Sequence, residues 1–223
     1  MKKLSLLSLF LLLSLSAFSQ VKFGIRTGIG STLNRIADKN GSDGIAYSKY
    51  KNSVAFTFGP QLDFTISDNA AFVTGIWFTT LNTSYTATTL TFFENYVINN
   101  SQFVSLPLGF KGYTNEFMTN GKIYFSCLGV ADVKVAESLK KTDYALYKEQ
   151  DYQSMFGASV QLASGLDLLL GESTAVYGGI FFNHDLTNRT SGEHINGDDN
   201  LPKYKDALSL KHSQIGLEIG VKF

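Results

Sequence analysis

Side chains able to support hydrolysis gather near the C-terminal end of the chain. His184 and Asp185 are adjacent, and Ser209, His212 and Ser213 follow them. A serine nucleophile needs a histidine to take its proton and an acid to orient that histidine. These five residues are therefore the group to weigh for cleavage of a lipid or ester. No spacing motif for a nucleophile surrounds either serine, so no catalytic residue is assigned. The run Glu193-His194-Ile195-Asn196-Gly197-Asp198-Asp199-Asn200 is rich in oxygen ligands. It lacks the ordered spacing of a calcium loop and reads as a solvated surface segment. A single cysteine, Cys127, permits no internal disulfide and no cysteine-based zinc site, and reads as a small apolar residue. Gly28-Ile29-Gly30 is followed by no helical pattern, so it is not a phosphate loop. Asn82-Thr83-Ser84, Asn99-Asn100-Ser101 and Asn188-Arg189-Thr190 match the glycosylation sequon, a pattern short enough to recur by chance. No metal site and no cofactor are expected.

A second set of polar residues is informative through its positions. Lys22, Arg26, Asp63, Lys111, Asp167, Glu218 and Lys222 are set among apolar residues that recur at every second position. Val21, Phe23, Ile25, Thr27, Ile29 and Leu33 share one face, with Lys22, Gly24, Arg26, Gly28, Gly30 and Asn34 on the other. The end of the chain repeats this, with Ile215, Leu217, Ile219, Val221 and Phe223 opposite Gln214, Gly216, Glu218, Gly220 and Lys222. On a helix such residues would be scattered over all sides, so period two means strands.

Eight such segments are expected. The first runs from Val21 to Leu33, the second spans Val54 to Ile66 and the last ends at Phe223. Between them lie Ala70–Thr86, Asn100–Tyr113, Lys122–Val135, Gln153–Leu170 and Ala175–Thr187. The third, fifth and seventh carry apolar residues on both faces, so their facing is left open. The connections alternate between long and short. Arg35–Lys51, Ala87–Asn99, Ala136–Tyr152 and Asn188–Asp206 are long or medium, whereas Ser67–Asn69, Asn115–Gly121 and Gly171–Thr174 are short. An even number of antiparallel strands with this alternation predicts an all-β, eight-stranded, up-and-down transmembrane barrel, with the short turns and both termini on the periplasmic side. Closure follows from the solvent, since hydrocarbon offers no partner to an unpaired backbone group. Phe23, Phe64, Phe223, Trp77, Tyr85 and Tyr113 are expected in aromatic belts. The seven charged residues above are expected to point into a lumen too narrow for an aqueous channel, where their mixed signs would pair into a plug.

Composition agrees with this reading. The 223 residues carry 19 Lys+Arg against 19 Asp+Glu, and zero net charge argues against nucleic acid as a partner. The charged fraction is 17%, low against the roughly 25% of soluble domains, which suits a surface hidden from water. Lys2 and Lys3 precede an apolar stretch from Leu4 to Leu15, and Ala17-Phe18-Ser19 supplies small residues for cleavage before Gln20. Residues 1–19 therefore read as a secretory signal peptide and residues 20–223 as the barrel domain. The apolar stretch is too short to span a bilayer as a helix, which needs roughly 20 residues. No cysteine follows the cleavage point to carry a lipid anchor.

The opening Phe23-Gly24-Ile25-Arg26-Thr27-Gly28, the run Phe103-Val104-Ser105-Leu106-Pro107-Leu108-Gly109-Phe110-Lys111-Gly112-Tyr113 and the closing Ile215–Phe223 resemble the small outer-membrane β-barrel proteins common in Bacteroidota, which include porin-like and PorT-like members. Ser105 stands where that family often carries an acidic residue. The resemblance implies fold and outer-membrane location more than activity. It also implies that terminal Phe223 is a signal read by the barrel-assembly machinery. The leading expectation is a non-enzymatic, monomeric scaffold in outer-membrane lipid, presenting loops to an extracellular partner. The alternatives are a secreted lipocalin-like barrel holding an apolar ligand, which would turn its apolar face inward, and an accessory barrel of a secretion or transport system.

Overall fold

The computed structural model describes residues 21–38, 45–49, 53–89, 94–141, 147–171, 173–188, 190–196 and 205–223; the expected signal peptide lies outside them. Every regular element among these residues is a strand. In chain order they are β1 (Val21–Asp38), β2 (Ile45–Lys49), β3 (Ser53–Ser67), β4 (Ala70–Gly75), β5 (Trp77–Thr89), β6 (Glu94–Tyr113), β7 (Gly121–Lys141), β8 (Tyr147–Gln153), β9 (Phe156–Leu169), β10 (Ala175–Asp185), β11 (Thr190–Asn196) and β12 (Lys205–Lys222). Every pairing is antiparallel, and β12 closes on β1 from Gly24↔Lys222 to Asp38↔Leu208.

These twelve strands make eight staves, because four staves are each built from two strands: β2 with β3, β4 with β5, β8 with β9 and β10 with β11. The break between β4 and β5 has a local cause. Pro60 and Pro107 lie on the two neighbouring strands at the level of Gly75 and Ile76, and neither proline has an N–H to give the ladder. The register continues unchanged across the gap, and Ile76 N–H donates to the Pro60 carbonyl at 3.1 Å. A walk perpendicular to the strands leaves β1 at Lys22 and returns to it at Thr32, ten residues further on. For eight strands that stagger corresponds to a tilt of about 40° and an interior that side chains can fill.

The two faces of the wall are inverted relative to a soluble protein. Ile25, Ile29, Val54, Phe56, Phe58, Leu106, Leu108, Phe110, Leu162, Ile180, Leu217 and Ile219 are exposed on the outside. Arg26, Asp63, Lys111, Asp132, Gln161, Glu218 and Lys222 are buried inside. A lipocalin-like barrel would show the opposite, so that alternative does not hold. The order also fixes the facing of the three ambiguous segments: Trp77 and Leu81, Tyr124 and Leu128, and Tyr177 and Phe181 point inward.

Two expectations are corrected here. Trp77 is 1% exposed inside the lumen and Tyr113 packs against a buried lumenal cluster, so neither belongs to an aromatic belt. Phe23, Phe64 and Phe223 do face outward at the end that carries the termini, while the side chain of Tyr85 lies outside the described residues. The long connections are also shorter than expected. β1 runs on to Asp38, β6 begins at Glu94, β7 runs to Lys141, and β2, β8 and β11 lie within segments read as loops. Backbone pairing propagates past the apolar band because a ladder in water needs no buried face, so alternation stops before the strand does.

Candidate functional site

Inside the barrel, polar side chains collect in layers. The lower layer is built from β1, β3, β6, β7, β9, β10 and β12, which bring charges far apart in sequence to one level. Arg26 donates from Nε at 2.9 Å and from Nη2 at 2.6 Å to Glu218 Oε2, and Tyr124 Oη donates to Glu218 Oε1 at 2.6 Å. The guanidinium lies 4.1 Å from the centre of the Trp77 ring and 5.5 Å from that of Phe181. An ion pair with both members this buried persists only because the carboxylate takes three hydrogen bonds and the cation rests on aromatic faces.

Lys222 continues the layer toward the end that carries the termini. Its ammonium pairs with Asp167, lies 3.6 Å from Asp63 Oδ2 and donates to Tyr113 Oη at 3.2 Å. Gln61 Nε2 donates to the other Asp63 oxygen at 2.8 Å. Lys111 is held by rings: its Nζ sits 4.0 Å from the centres of both Tyr124 and Tyr177. Glycines make the room for these rings. A methyl group on Gly220 would collide with the Tyr177 ring, and one on Gly179 would come within 2.6 Å of Tyr124 Oη. Arg26, Lys111 and Lys222 thus face Asp63, Asp167 and Glu218, three charges of each sign. Lys22 lies below them, lining a cavity of about 90 Å³ at the mouth with Asp63, Tyr113, Lys122, Asp167 and Lys222.

Above this layer two further acids, Asp132 and Asp185, are buried in the lumen. Thr57, Thr79, Ser105 and Asp132 form a chain across four neighbouring staves, with Thr57–Thr79 at 3.4 Å, Thr79–Ser105 at 3.1 Å and Ser105 bonded to Asp132. Ser105 and Asp132 are register partners on β6 and β7, so the carboxylate at this level comes from the neighbouring strand. Nothing in the local sequence of either strand announces this pairing. A void of about 10 Å³ above the Arg26 layer is lined by Trp77, Gln161 and Asn183 among others. It has room for about one water molecule.

The hydrolytic group does not assemble as a catalytic site. His184 and Ser213 are register partners and lie 3.0 Å apart, Nδ1 to Oγ, but on the outer wall. Arg35 Nη2 lies 3.0 Å from His184 Nε2. The same Nη2 is 3.4 Å from Nδ1, so the guanidinium lies over the face of the ring. Asp185 faces the lumen, where it accepts the His212 backbone N–H at 3.2 Å, and His212 Nε2 lies 3.5 Å from Thr83 Oγ1. The side chains of Ser209, Glu193 and His194 and all of residues 197–200 lie outside the described residues. Among the described residues no group of three or more His, Cys, Asp or Glu could hold a metal ion. Cys127 is a free thiol exposed on the outer wall.

No protein-family model matches the sequence, and no curated protein is significantly similar to it. Solved structures are similar in fold. The outer membrane protein OprG from Pseudomonas aeruginosa superposes with a TM-score of 0.51 at 13% identity, over 89% of this chain and 95% of that one. The outer membrane protease OmpT from Escherichia coli superposes with a TM-score of 0.53 at 8% identity, over 91% of this chain and 96% of that one. One of the two is named a protease and the other is not, so the shared architecture leaves activity undecided. The chain has the fold of outer-membrane β-barrel proteins.

Proposed function

We propose that this protein resides in the outer membrane of a Gram-negative bacterium, as a small barrel of the kind its sequence resembles in Bacteroidota. In this reading it is a monomeric, non-enzymatic scaffold whose long connections contact an extracellular partner. Phe223, exposed at the end of β12, serves as the assembly signal. On β1 the outward apolar residues run from Phe23 to Leu33. Ten residues of strand tilted by about 40° rise about 25 Å, the height of a membrane barrel's apolar band.

The observation that carries the scaffold reading is the closed lumen. Three buried charges of each sign, stacked on Trp77, Tyr124, Tyr177 and Phe181, occupy the cross-section at the level of Arg26 and Lys111. Ions crossing it would have to displace paired charges, which costs several kcal/mol for each one left uncompensated. The test is conductance of the refolded barrel in a planar lipid bilayer. Baseline current without discrete openings is expected; stable openings at neutral pH would overturn the reading.

A further inference from the structure

We propose that Arg35, Lys211 and His184 form, on the outside of the barrel, a binding site for the phosphate groups of an outer-leaflet lipid. The proposal rests on the reading above, which puts the end opposite the termini at the cell surface.

The three residues come from adjacent staves, β1, β12 and β10. Arg35 and Lys211 are register partners. Like charges directly opposite one another on a sheet repel. Among the described residues no carboxylate pairs with either: Arg35 contacts the ring of His184, and Lys211 donates to the Leu186 carbonyl at 3.0 Å. An anion between them removes the repulsion. Both keep unused donors for it, since an ammonium has three and a guanidinium five. Ser213, bonded to His184, holds that ring beneath the Arg35 guanidinium.

The level of the cluster selects a lipid as the source of the anion. Leu33 and Ile215 are the last large apolar residues with described outward side chains on β1 and β12, two and four positions below the Arg35–Lys211 pair, and on the third stave exposed Leu186 brings apolar surface up beside Lys211. The cations therefore sit at the upper edge of the apolar band, where headgroup phosphates lie. The exposed apolar side chains just below offer a wall for the acyl chains of the same molecule. Guanidinium and phosphate match in planar, two-pronged hydrogen bonding, and cations near a membrane surface gain from anionic headgroups.

The test uses the whole barrel in phosphatidylcholine vesicles, titrated with bisphosphorylated lipid A and read by native mass spectrometry after detergent extraction. Lipid A is expected to remain on the parent barrel, and lipid A stripped of its phosphates is not. Arg35→Gln combined with Lys211→Gln is expected to lower occupancy about tenfold or more. The charge-conserving pair Arg35→Lys and Lys211→Arg should retain binding, as should Lys122→Gln at the opposite rim. Heat-modified gel mobility establishes that each variant is folded. Equal lipid A occupancy in the parent and the double Gln variant would overturn the site. Equally tight binding of inorganic pyrophosphate alone would overturn the lipid as its source. Loss of this site leaves the conductance result unchanged, so the two readings fail separately.

Discussion

Replacing Glu218 by Gln isolates the central ion pair, because the amide keeps the shape of the carboxylate and removes only its charge. In the parent this carboxyl group is 6% exposed and takes hydrogen bonds from Arg26 and Tyr124. The variant leaves the Arg26 guanidinium, 2% exposed, without its counter-charge. Breaking a buried pair from one side costs about 3–5 kcal/mol. For a chain of this size that corresponds to a thermal midpoint lower by about 6–20 °C. The chain supplies its own probe: its single tryptophan, Trp77, lies directly under Arg26, so its emission reports on the layer. Refolded barrels in detergent would be unfolded by heat and followed by Trp77 fluorescence and gel mobility. The double variant Arg26→Met with Glu218→Leu removes both charges and should recover most of the loss, because neither partner is then left unpaired. A Glu218→Gln barrel within about 0.5 kcal/mol of the parent, an ordinary surface effect, would refute the argument. So would a double variant as unstable as the sum of its two single variants.

Leu217, 61% exposed on the wall, should lose about 2–4 kcal/mol when replaced by Arg, whereas Gln214→Ser on the lumenal face should cost less; equal tolerance in denaturant titrations would contradict the facing. Gly220→Ala drives a methyl group into the Tyr177 ring that holds Lys111, and should destabilise the barrel by about 1–3 kcal/mol in the same titration. An epitope inserted between Asn196 and Lys205, in the connection from β11 to β12, should bind antibody on intact cells. Binding only after permeabilisation would mean that the barrel is oriented the other way up.

Much of the fold was legible in the sequence because the lumen is polar and the exterior is not. Along β1, β3, β6 and β12 the two faces differ so sharply in polarity that alternation alone identifies them. The signal fades in β5, β7 and β10 because the lumenal positions there hold Trp77, Leu81, Tyr124, Leu128, Tyr177 and Phe181. The rings pack around the buried cations and Leu81 and Leu128 fill apolar clusters of the lumen, so apolar residues occupy both faces of the same strand. Residue type alone suggests an interface for Trp77 and Tyr113, whereas ring closure puts them beside Arg26 and Lys222. The pairings that make the site, Arg26 with Glu218 and Ser105 with Asp132, depend on the register between staves. For Arg26 and Glu218 that register is set by closure of β12 on β1, and for Ser105 and Asp132 by the turn that joins β6 to β7. The placement of His184 beside Ser213 but away from Asp185 follows from the two-residue repeat, which turns neighbouring side chains to opposite sides of the wall.

Cys127 allows the inside-out arrangement to be tested directly, since it is the chain's single cysteine and faces outward between Phe125 and Gly129 on β7. A small fluorophore attached to this thiol in denaturant, followed by refolding into vesicles, places the probe on the outer wall. With lipids brominated along their acyl chains, the emission should be blue-shifted and strongly quenched, and iodide in the surrounding water should have little effect. Quenching by iodide with no response to brominated chains would contradict the claim that this wall faces hydrocarbon.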